Sequence, residues 1–416
     1  MAENLRSETS MAIAKSRAMP FALRRFSDLL EKAAEQSGVP CEVRFASGDV
    51  RRFGAGAPQF TVIFNDDKVL YGALSEVALG EAYIDGKYEI EGSWLAMQEA
   101  RRLLNANALL STPLRVLYDL FMLPATVINK RAIMAHYEVG NDFFRTFMDT
   151  KYRFYSQCLF YDDDETLEQA AEHKLETMFA ALKLGPGKRL LDIGAGWGGV
   201  HEYCGPRGVH VTSVTISEES QKYVNELIAR MGLDHCAVKL EDFLEHVPDA
   251  PYDGVVIYGV IEHIPYYRRF AEKLWSILKP GGLFYLDASA ALRKYDVSDF
   301  ARRYIWQGSH SFMCLQDVVQ ELLYAGLDVL ETKNESHDYW ITMRHWAERL
   351  DAHRDEIVTR WGAKLYRIFR LYLWTGAFAF RVGDLQAYHL VARRRDERGP
   401  RPGLGARVAD FVRSFK

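Results

Sequence analysis

Four glycines stand close together in the segment R-L-L-D-I-G-A-G-W-G-G, which begins at Arg189. They are Gly194, Gly196, Gly198 and Gly199. The apolar residues before them predict a buried strand, and the glycines predict a sharp turn from that strand into a helix. Such a turn lets a ligand approach the main chain, as nucleotide-like ligands do at the ends of parallel strands. Asp192, just before the turn, supplies a carboxylate that can order the loop and bind an amino group. The segment therefore predicts a site for a nucleotide-like ligand.

Polar residues end the next two predicted strands. The second strand ends in Thr215-Ile216-Ser217, with Gln221 one helical turn later. A dinucleotide site would need an acidic residue at this strand end, and the sequence offers hydroxyls and an amide instead. The third strand ends at Glu241-Asp242-Phe243, which suits the amino group and ring face of an adenine. These residues predict an adenosyl ligand that is not a dinucleotide.

Strands and helices alternate along this half of the chain, which predicts a mostly parallel sheet and an α/β fold class. The predicted strands are 190–193, 210–214, 236–240, 252–258 and 283–288. A helix is expected to end at L-K-P-G-G, just before the last of these strands. Together with the polar strand ends, this pattern resembles a Rossmann-like, class I S-adenosylmethionine-dependent methyltransferase.

A second series of motifs makes the resemblance more specific. H-Y-E-V-G-N-D-F-F begins at His136 and is followed in order by Tyr155-Ser156, the glycine loop and the I-E-H around Glu262. R-R-Y-I-W and G-A-F follow later, and G-E-A-Y-I-D-G precedes them all near the N-terminus. The chain resembles the cyclopropane fatty acyl phospholipid synthases and their mycolic acid relatives over most of its length.

This resemblance implies methyl transfer from S-adenosylmethionine to a cis double bond in an unsaturated phospholipid. Tyr155 and Ser156 would join the glycine loop in holding the cofactor. The implied substrate-binding residues are His136, Tyr137, Tyr304 and Trp306. Methyl transfer to an alkene leaves a carbocation, which aromatic faces can stabilise. Phe160 and Tyr339 are further aromatic candidates.

In the resembled family, a bicarbonate ion removes the proton that closes the cyclopropane ring. The resemblance places Glu262 and Tyr339 at two of its ligand positions. The other two differ, because Gln157 stands where the family has a cysteine, with Cys158 displaced by one, and Asp287 stands in place of a histidine. An ionised Asp287 beside Glu262 would repel bicarbonate, and Asp287 could itself be the base. A Gln157 amide could still donate to an anion. We therefore favour a methyl-branched alkene or methylene product and leave ring closure open.

The chain is long enough for two domains, and its motifs divide it into five segments. We expect a disordered N-terminus (1–19), a smaller N-terminal α+β domain of lipid-binding type (20–110), a connector (111–135), the methyltransferase domain (136–395) and a basic tail (396–416). An amphipathic helix from Pro20 and strands at 43–45 and 60–64 support the N-terminal domain. Eight basic residues against three acidic ones from Arg393 to Lys416 could bind anionic lipid or form a solvated tail.

The phospholipid substrate that the resemblance implies would place the protein at the inner face of a membrane rather than within one. The sequence shows neither a bilayer-length apolar run nor a secretory signal, so we expect a cytoplasmic protein in peripheral contact with membrane phospholipid. Five scattered cysteines predict no structural metal. A net charge of −4 gives little support to nucleic-acid binding. A homodimer is expected from the family alone. The alternatives are a catalytically silent lipid-binding scaffold and a methyltransferase for a soluble small molecule.

Overall fold

The computed structural model describes residues 21–71, 76–102, 140–295, 297–306, 310–399 and 401–413. The chain separates into two compact units. The first unit comprises Met1–Ser111 and Asp355–Phe378, and the second comprises Thr112–Arg354 and Ala379–Lys416. The expectations for the N-terminus (1–19), the connector (111–135), His136 and Tyr137 lie outside the described residues.

The early part of the chain alternates helices with short strands. In order these are α1 (Phe21–Ser37), β1 (Cys41–Arg44), β2 (Val50–Phe53), β3 (Phe60–Phe64), α2 (Glu76–Ile84), β4 (Tyr88–Gly92) and α3 (Trp94–Arg102). The strands form a sheet in the order β2-β1-β3-β4, in which β1 and β3 are parallel and the other pairs are antiparallel. This sheet matches the predicted α+β character of the N-terminal part.

The rest of the chain is larger, and most of its strands are followed by a helix. Its elements are α4 (Asn141–Arg145), α5 (Leu167–Ala181), β5 (Arg189–Ile193), α6 (Gly199–Cys204), β6 (His210–Thr215), α7 (Glu218–Met231), β7 (Ala237–Leu240), β8 (Tyr252–Tyr258), α8 (Tyr267–Ile277), β9 (Leu278–Ala290), α9 (Asp299–Tyr304), α10 (Leu315–Ala325), β10 (Leu327–Asn334), α11 (Ser336–Ala352), α12 (Arg354–Trp361), α13 (Ala363–Val382), β11 (Gln386–Arg394) and α14 (Leu404–Arg413). Strand β9 begins at Leu278, so L-K-P-G-G belongs to the strand rather than to the end of the preceding helix.

The first unit includes residues 355–378, which we expected in the methyltransferase domain. Residues 355–378 fall inside the expected methyltransferase domain (136–395), yet they cluster with the N-terminal unit. Leu371 and Trp374 pack against its buried core, and the amide of Gln98 donates to the Thr375 hydroxyl at 2.6 Å. The reason is burial, because the apolar side of this part of α13 covers the N-terminal core.

The second unit is built on one large sheet. Across the described residues, seven strands lie in the order β10-β11-β9-β8-β5-β6-β7. Strand β11 is antiparallel to both neighbours, and the pairs from β9 to β7 are parallel. The strand order reverses between β5 and β8, and ligands bind parallel sheets at the carboxyl side of such a reversal. The α/β, Rossmann-like fold class is confirmed.

Helix α5 carries one unexpected residue toward the sheet. A capping box starts the helix, with the Thr166 hydroxyl accepting from the Gln169 backbone while the Gln169 side chain accepts from the Thr166 backbone. The buried side of the helix consists of Leu167, Ala170, Ala171, Lys174, Leu175 and Met178. Lys174 thus occupies an apolar position of the helical pattern, and it is 1% exposed.

None of the helices within the described ranges is long and apolar enough to cross a membrane.

Candidate active site

The glycine turn joins β5 to α6, and two of its glycines are packed too closely against the rest of the protein to carry a side chain. Gly194 has φ 94°, and a Cβ there would lie 2.5 Å from Cγ2 of Val260. A Cβ on Gly199 would lie 2.7 Å from the Tyr152 carbonyl oxygen. Both distances are below any van der Waals contact, so close packing explains why these positions are glycine.

Asp192 lies buried directly under this turn. Its Oδ2 accepts a hydrogen bond from the Ser213 hydroxyl at 2.7 Å, and that hydroxyl is 3.3 Å from Nδ1 of His201. Burial raises the pKa of Asp192 to about 7, against the lowering effect of the Ser213 bond. A bound cationic amino group would favour the ionised carboxylate.

A pocket opens where the carboxyl ends of β5, β6, β7 and β8 meet. The predicted cofactor residues that line it are Tyr155, Ser156, Asp192, Gly194, Gly196, Gly199, Thr215, Ser217, Asp242 and Phe243. Two others lie outside its lining. Gly198 instead meets the apolar side of α7, where its Cβ would be 2.4 Å from Leu227, and Gln221 is half-buried on the same helix. Glu219 and Ser220 line the pocket in place of Gln221, and Ser220 donates to the Gly196 carbonyl oxygen at 2.7 Å.

The donor and acceptor set of this pocket fits S-adenosylmethionine. Asp192 offers a carboxylate to the amino group of the methionine part, and Thr215 and Ser217 offer hydroxyls beside it. Asp242, whose Oδ1 caps the turn by accepting from the Leu244 backbone at 2.8 Å, stands next to the ring of Phe243. Such a pair suits an adenine edge and face. These residues would hold the cofactor.

Lys174 is a buried charged residue of the site that the sequence did not predict. Its ammonium lies 2.7 Å from Oδ2 of Asp287, 2.5 Å from the Ser156 hydroxyl and 2.8 Å from the Gln157 carbonyl oxygen. An ammonium has three N–H donors, and these three acceptors match them. The same nitrogen lies 4.1 Å from the ring centre of Tyr258. Lys174 therefore joins the pocket-lining Ser156 to the buried Asp287.

Two buried carboxyl groups, Asp287 and Glu262, lie near the end of β9. Asp287 is 1% exposed, and burial raises its pKa to about 6 although Lys174 lowers it. Glu262 accepts two hydrogen bonds at Oε1, from the Ser289 backbone at 2.9 Å and its hydroxyl at 2.7 Å. Burial raises the pKa of Glu262 to about 7 against those bonds. Among the described residues, Oε2 of Glu262 and Oδ1 of Asp287 have no hydrogen-bond partner. The ammonium of Lys174 at Asp287 reduces the repulsion of bicarbonate that the sequence predicts for these two carboxyl groups.

Gln157 is fully buried and its amide is oriented by a neighbour. Nε2 of Gln157 donates to Oε2 of Glu335 at 3.3 Å. Because a carboxylate can only accept, the amide nitrogen is the end of the Gln157 side chain that faces Glu335. Oε1 of Gln157 faces the other way and finds no partner within the described part of the chain. Oε1 of Glu335 is hydrogen-bonded to Nδ1 of His389. Neither Glu335 nor His389 was a predicted site residue.

The remaining predicted catalytic residues have structural contacts. Cys158 is buried, its backbone N–H donates to the Thr342 hydroxyl at 3.0 Å, and burial raises the pKa of its thiol well above the usual value. Tyr339 stacks on Phe380 with ring centres 4.3 Å apart and meets Trp346 edge-to-face at 6.3 Å. Trp346 in turn stacks on the pocket-lining Tyr155 at 5.2 Å. An aromatic series thus runs from Tyr155 to Tyr339.

The aromatic residues near α9 lie beside the pocket on another side. Trp306 stacks on His310 at 4.6 Å and lies 5.6 Å from the ring of His263, which lines the pocket. Burial lowers the pKa of His263 to about 4, so its ring is neutral. Tyr304 ends α9 and contacts Phe300 at 5.3 Å, and Phe160 stacks on His345 at 5.7 Å.

Comparison with known families decides the identity of this fold and pocket. The family model described as mycolic acid cyclopropane synthetase matches residues 126–390 of the 416. The chain belongs to this family. It is a SAM-dependent methyltransferase of the cyclopropane synthase and fatty acid methyltransferase group. A second model, described as a domain of unknown function (DUF7884), matches residues 26–106.

Relatives show the same grouping. The chain is 31% identical to the cyclopropane-fatty-acyl-phospholipid synthase of Escherichia coli, over 78% of this chain and 85% of that protein. It is 31% identical to a protein named probable fatty acid methyltransferase in Mycobacterium tuberculosis, over 64% of each. The structure of the cyclopropane synthase MmaA2 from Mycobacterium tuberculosis matches with a TM-score of 0.59 and 25% identity, covering 64% of this chain and 98% of that one.

Proposed function

We propose that this protein transfers a methyl group from S-adenosylmethionine to the cis double bond of an unsaturated acyl chain in a membrane phospholipid. We further propose that the product is a methyl-branched alkene and that a protein carboxylate, rather than bicarbonate, accepts the released proton. The lipid substrate is supported by the relatives, which are named for fatty acyl phospholipids and fatty acids. The branched product is supported by the residues around Asp287.

One observation carries the product assignment, namely that the amide and ammonium groups around Asp287 already donate to protein acceptors. Bicarbonate needs N–H or O–H groups to hold it. Gln157 donates one N–H of its amide to Glu335, and its side-chain carbonyl oxygen faces the other way. Within the described part of the chain, the hydroxyls of Tyr258 and Tyr285 are the donors near Asp287 that have no hydrogen-bond partner. The three N–H groups of Lys174 already have three protein acceptors. Because Asp287 and Glu262 add carboxyl oxygens, an anion would find further acceptors rather than donors here, whereas a nearby carbocation would be stabilised.

Asp287 is the residue to which we assign the role of base. Lys174 supplies a fixed counter-ion, and with a pKa of about 6 the Asp287 carboxyl is ionised at neutral pH. A pKa close to the working pH is what a general base needs. Asp287 also lies next to the pocket rim, since its carbonyl oxygen accepts from the pocket-lining Gly259 at 3.1 Å.

The rest of the site would position and protect the reacting groups. S-adenosylmethionine supplies an electrophilic methyl group when it is bound. Tyr155 lines the pocket, and the rings of Trp346 and Trp306 lie against it, so this aromatic group would exclude water, and an aromatic face stabilises a nearby cation by about 0.5–2 kcal/mol. Loss of a proton from the neighbouring chain carbon returns its C–H electron pair to a new C=C bond, and Asp287 gains the proton.

The test uses purified protein, phospholipid vesicles with cis-unsaturated chains, and S-adenosylmethionine that carries a CD₃ group. Proton loss from a chain carbon leaves all three deuteriums in the product, whereas ring closure or methylene formation removes one. Mass spectrometry of the fatty esters is expected to show complete CD₃ retention and uptake of one H₂ on mild hydrogenation.

Two results would contradict this proposal in different ways. A product with two deuteriums that resists hydrogenation would be a cyclopropane, and the argument from Gln157 and Asp287 would be wrong. Labelling of a small soluble acceptor but of no lipid would refute the substrate assignment. The variant Asp287→Asn keeps the shape of the side chain and is expected to bind cofactor yet form little branched product. Asp253→Asn, which removes a carboxylate that pairs with Lys279 at the opposite end of the parallel strands, is the matched control.

A further inference from the structure

A second buried acid–base pair lies next to the proposed base and is not explained by it. Glu335 stands between β10 and α11, and its backbone N–H donates to the Ala387 carbonyl oxygen at 2.8 Å. His389 lies in the middle of β11. Glu335 is 1% exposed and His389 is 3% exposed, and the two are joined through Oε1 and Nδ1. Burying two titratable groups is costly, so such a pair calls for a reason beyond packing.

The other end of this pair reaches solvent. Nε2 of His389 is 3.3 Å from Oε1 of Glu331, whose side chain is 57% exposed. Both ring nitrogens of His389 therefore face a carboxylate, one buried and one at the surface. An imidazole so placed can accept a proton on one nitrogen while it gives up the proton on the other.

The inner end of the pair reaches the site. Oε2 of Glu335 accepts from Gln157 at 3.3 Å. Asp287 is paired directly with His389 across the β9–β11 ladder, so the two side chains extend from the same face of the sheet with their Cβ atoms about 5 Å apart. The proposed base and the buried acid–base pair are thus immediate neighbours.

Several charged groups from the surrounding elements act on His389. Glu331 comes from β10 and Glu335 precedes α11. Tyr285 and Asp287 come from β9, and Lys174 from α5 pairs with Asp287. Asp338 of α11 lies farther along the same cluster, where the charge of Glu335 raises its pKa and the charge of Lys333 of β10 lowers it. Burial lowers the pKa of His389, but the bonds and charges of Glu335 and Glu331 outweigh burial and raise it.

We propose that Glu335, His389 and Glu331 form a proton-exit relay that carries the proton from Asp287 to solvent. This inference rests on the proposed function, in which a protein carboxylate accepts the proton. Asp287 must lose that proton before the next turnover, and it is buried away from water. In the relay Asp287 gives its proton to Glu335, Glu335 gives a proton to Nδ1 of His389, the proton on Nε2 passes to Glu331, and Glu331 releases it to water. Only protons move, and the relay is reset when the proton that remains on the imidazole moves from Nδ1 back to Nε2.

The experiment compares Glu335→Gln, His389→Gln and Glu331→Gln in the full-length protein, in the vesicle assay with CD₃-labelled cofactor. We expect kcat to fall at least roughly tenfold in the first two variants, within the range typical of a lost acid–base group, with little change in cofactor affinity. In Glu335→Gln the pH profile of kcat is expected to move to lower pH, because His389 has lost one of two carboxylates that favour its charged form. Glu331→Gln lies at the exposed end and is expected to move the profile in the same direction by less.

The control is Asp328→Asn, which changes an exposed carboxylate on the same strand that pairs with Arg393 rather than with His389. This variant is expected to match the wild type. If the Glu335–His389 pair were purely structural, its removal would lower kcat by the same factor at every pH. That result would overturn the relay. If the buried variants fail to fold, an unshifted pH profile of Glu331→Gln overturns it equally. Wild-type protein that makes no labelled lipid would refute the proposed function itself, and the relay with it.

Discussion

The buried ion pair between Lys174 and Asp287 makes a quantitative prediction about stability. Both side chains are nearly inaccessible, at 1% and 2% exposure, and the two charged atoms lie 2.7 Å apart. Removing one partner of such a pair leaves an uncompensated buried charge and costs about 3–5 kcal/mol. Lys174→Met, which keeps the length of the side chain, is therefore expected to lower the free energy of unfolding by about 3 kcal/mol or more at pH 8.

The loss of stability caused by Lys174→Met is expected to increase as pH rises. Burial raises the folded-state pKa of Asp287 from 3.8 to about 6 even with Lys174 present, so its contribution to stability is full below pH 4 and is lost as pH rises through 6. Without Lys174 the folded-state pKa rises further, and the carboxyl holds its proton at neutral pH. The stability difference between wild type and Lys174→Met should therefore be small near pH 5 and should widen as pH rises toward 8.

A double-mutant cycle measures the pair itself. Lys174→Met, Asp287→Asn and the double variant are unfolded in urea at pH 8, and we expect a coupling energy of about 2 kcal/mol or more. The same cycle at Lys279 and Asp253 is the control, because those charges are also 2.7 Å apart but lie at 42% and 15% exposure. Its coupling is expected to stay below about 1 kcal/mol. Additive effects at Lys174 and Asp287, or a pH dependence of opposite sign, would refute the reasoning.

Two further predictions concern the cofactor and the lipid surface. Gly194→Ala drives a methyl group to within 2.5 Å of Val260 and is expected to weaken S-adenosylhomocysteine binding at least tenfold by calorimetry, whereas Gly187→Ala, at φ 80° with open space around it, should bind normally. In α14, Val408 and Val412 are 53% and 54% exposed one helical turn apart, within the basic C-terminal segment. Changing both to Asp is expected to reduce co-sedimentation with anionic vesicles while leaving cofactor affinity unchanged; unchanged sedimentation would argue that the tail does not contact lipid.

Much of the second unit could be predicted because its signals are local. Strand β8 was expected at 252–258 and lies there, and β5 and β6 lie within one residue of their predicted bounds. Apolar runs that end in glycines or hydroxyl residues are sufficient to define such strands. The association of residues 355–378 with the N-terminal unit could not be predicted in this way. It depends on which distant apolar surface a helix covers, and periodicity shows only that the helix has an apolar side.

The site residues also divide into those that local sequence signals predict and those that only the fold brings together. Glycine loops and strand ends are contiguous in sequence, so Asp192, Thr215 and Asp242 were found as pocket residues without a structure. Lys174 carried a signal that was not used, since it is a lysine at an apolar position of an amphipathic helix. Glu335 and His389 carry no such signal. They are separated by 54 residues and meet only because β11 returns antiparallel beside β9 and β10.

The charges of the site also argue for the order in which its parts act. Lys174 balances Asp287, and Glu335 shares a proton with His389, so neither of these two carboxyl groups is an uncompensated charge. A carbocation formed beside them adds one positive charge to a nearly neutral cluster, and transfer of its proton to Asp287 leaves that charge next to Lys174. The resulting excess is relieved only when a proton leaves. A relay that ends at the exposed Glu331 lets the proton leave while the pocket stays closed to water. Water in the pocket would capture the carbocation. If proton exit is slow in Glu335→Gln, water should capture part of the carbocation and give a methylated, hydroxylated acyl chain. If kcat falls and this product is absent, proton loss from the carbocation does not depend on the relay.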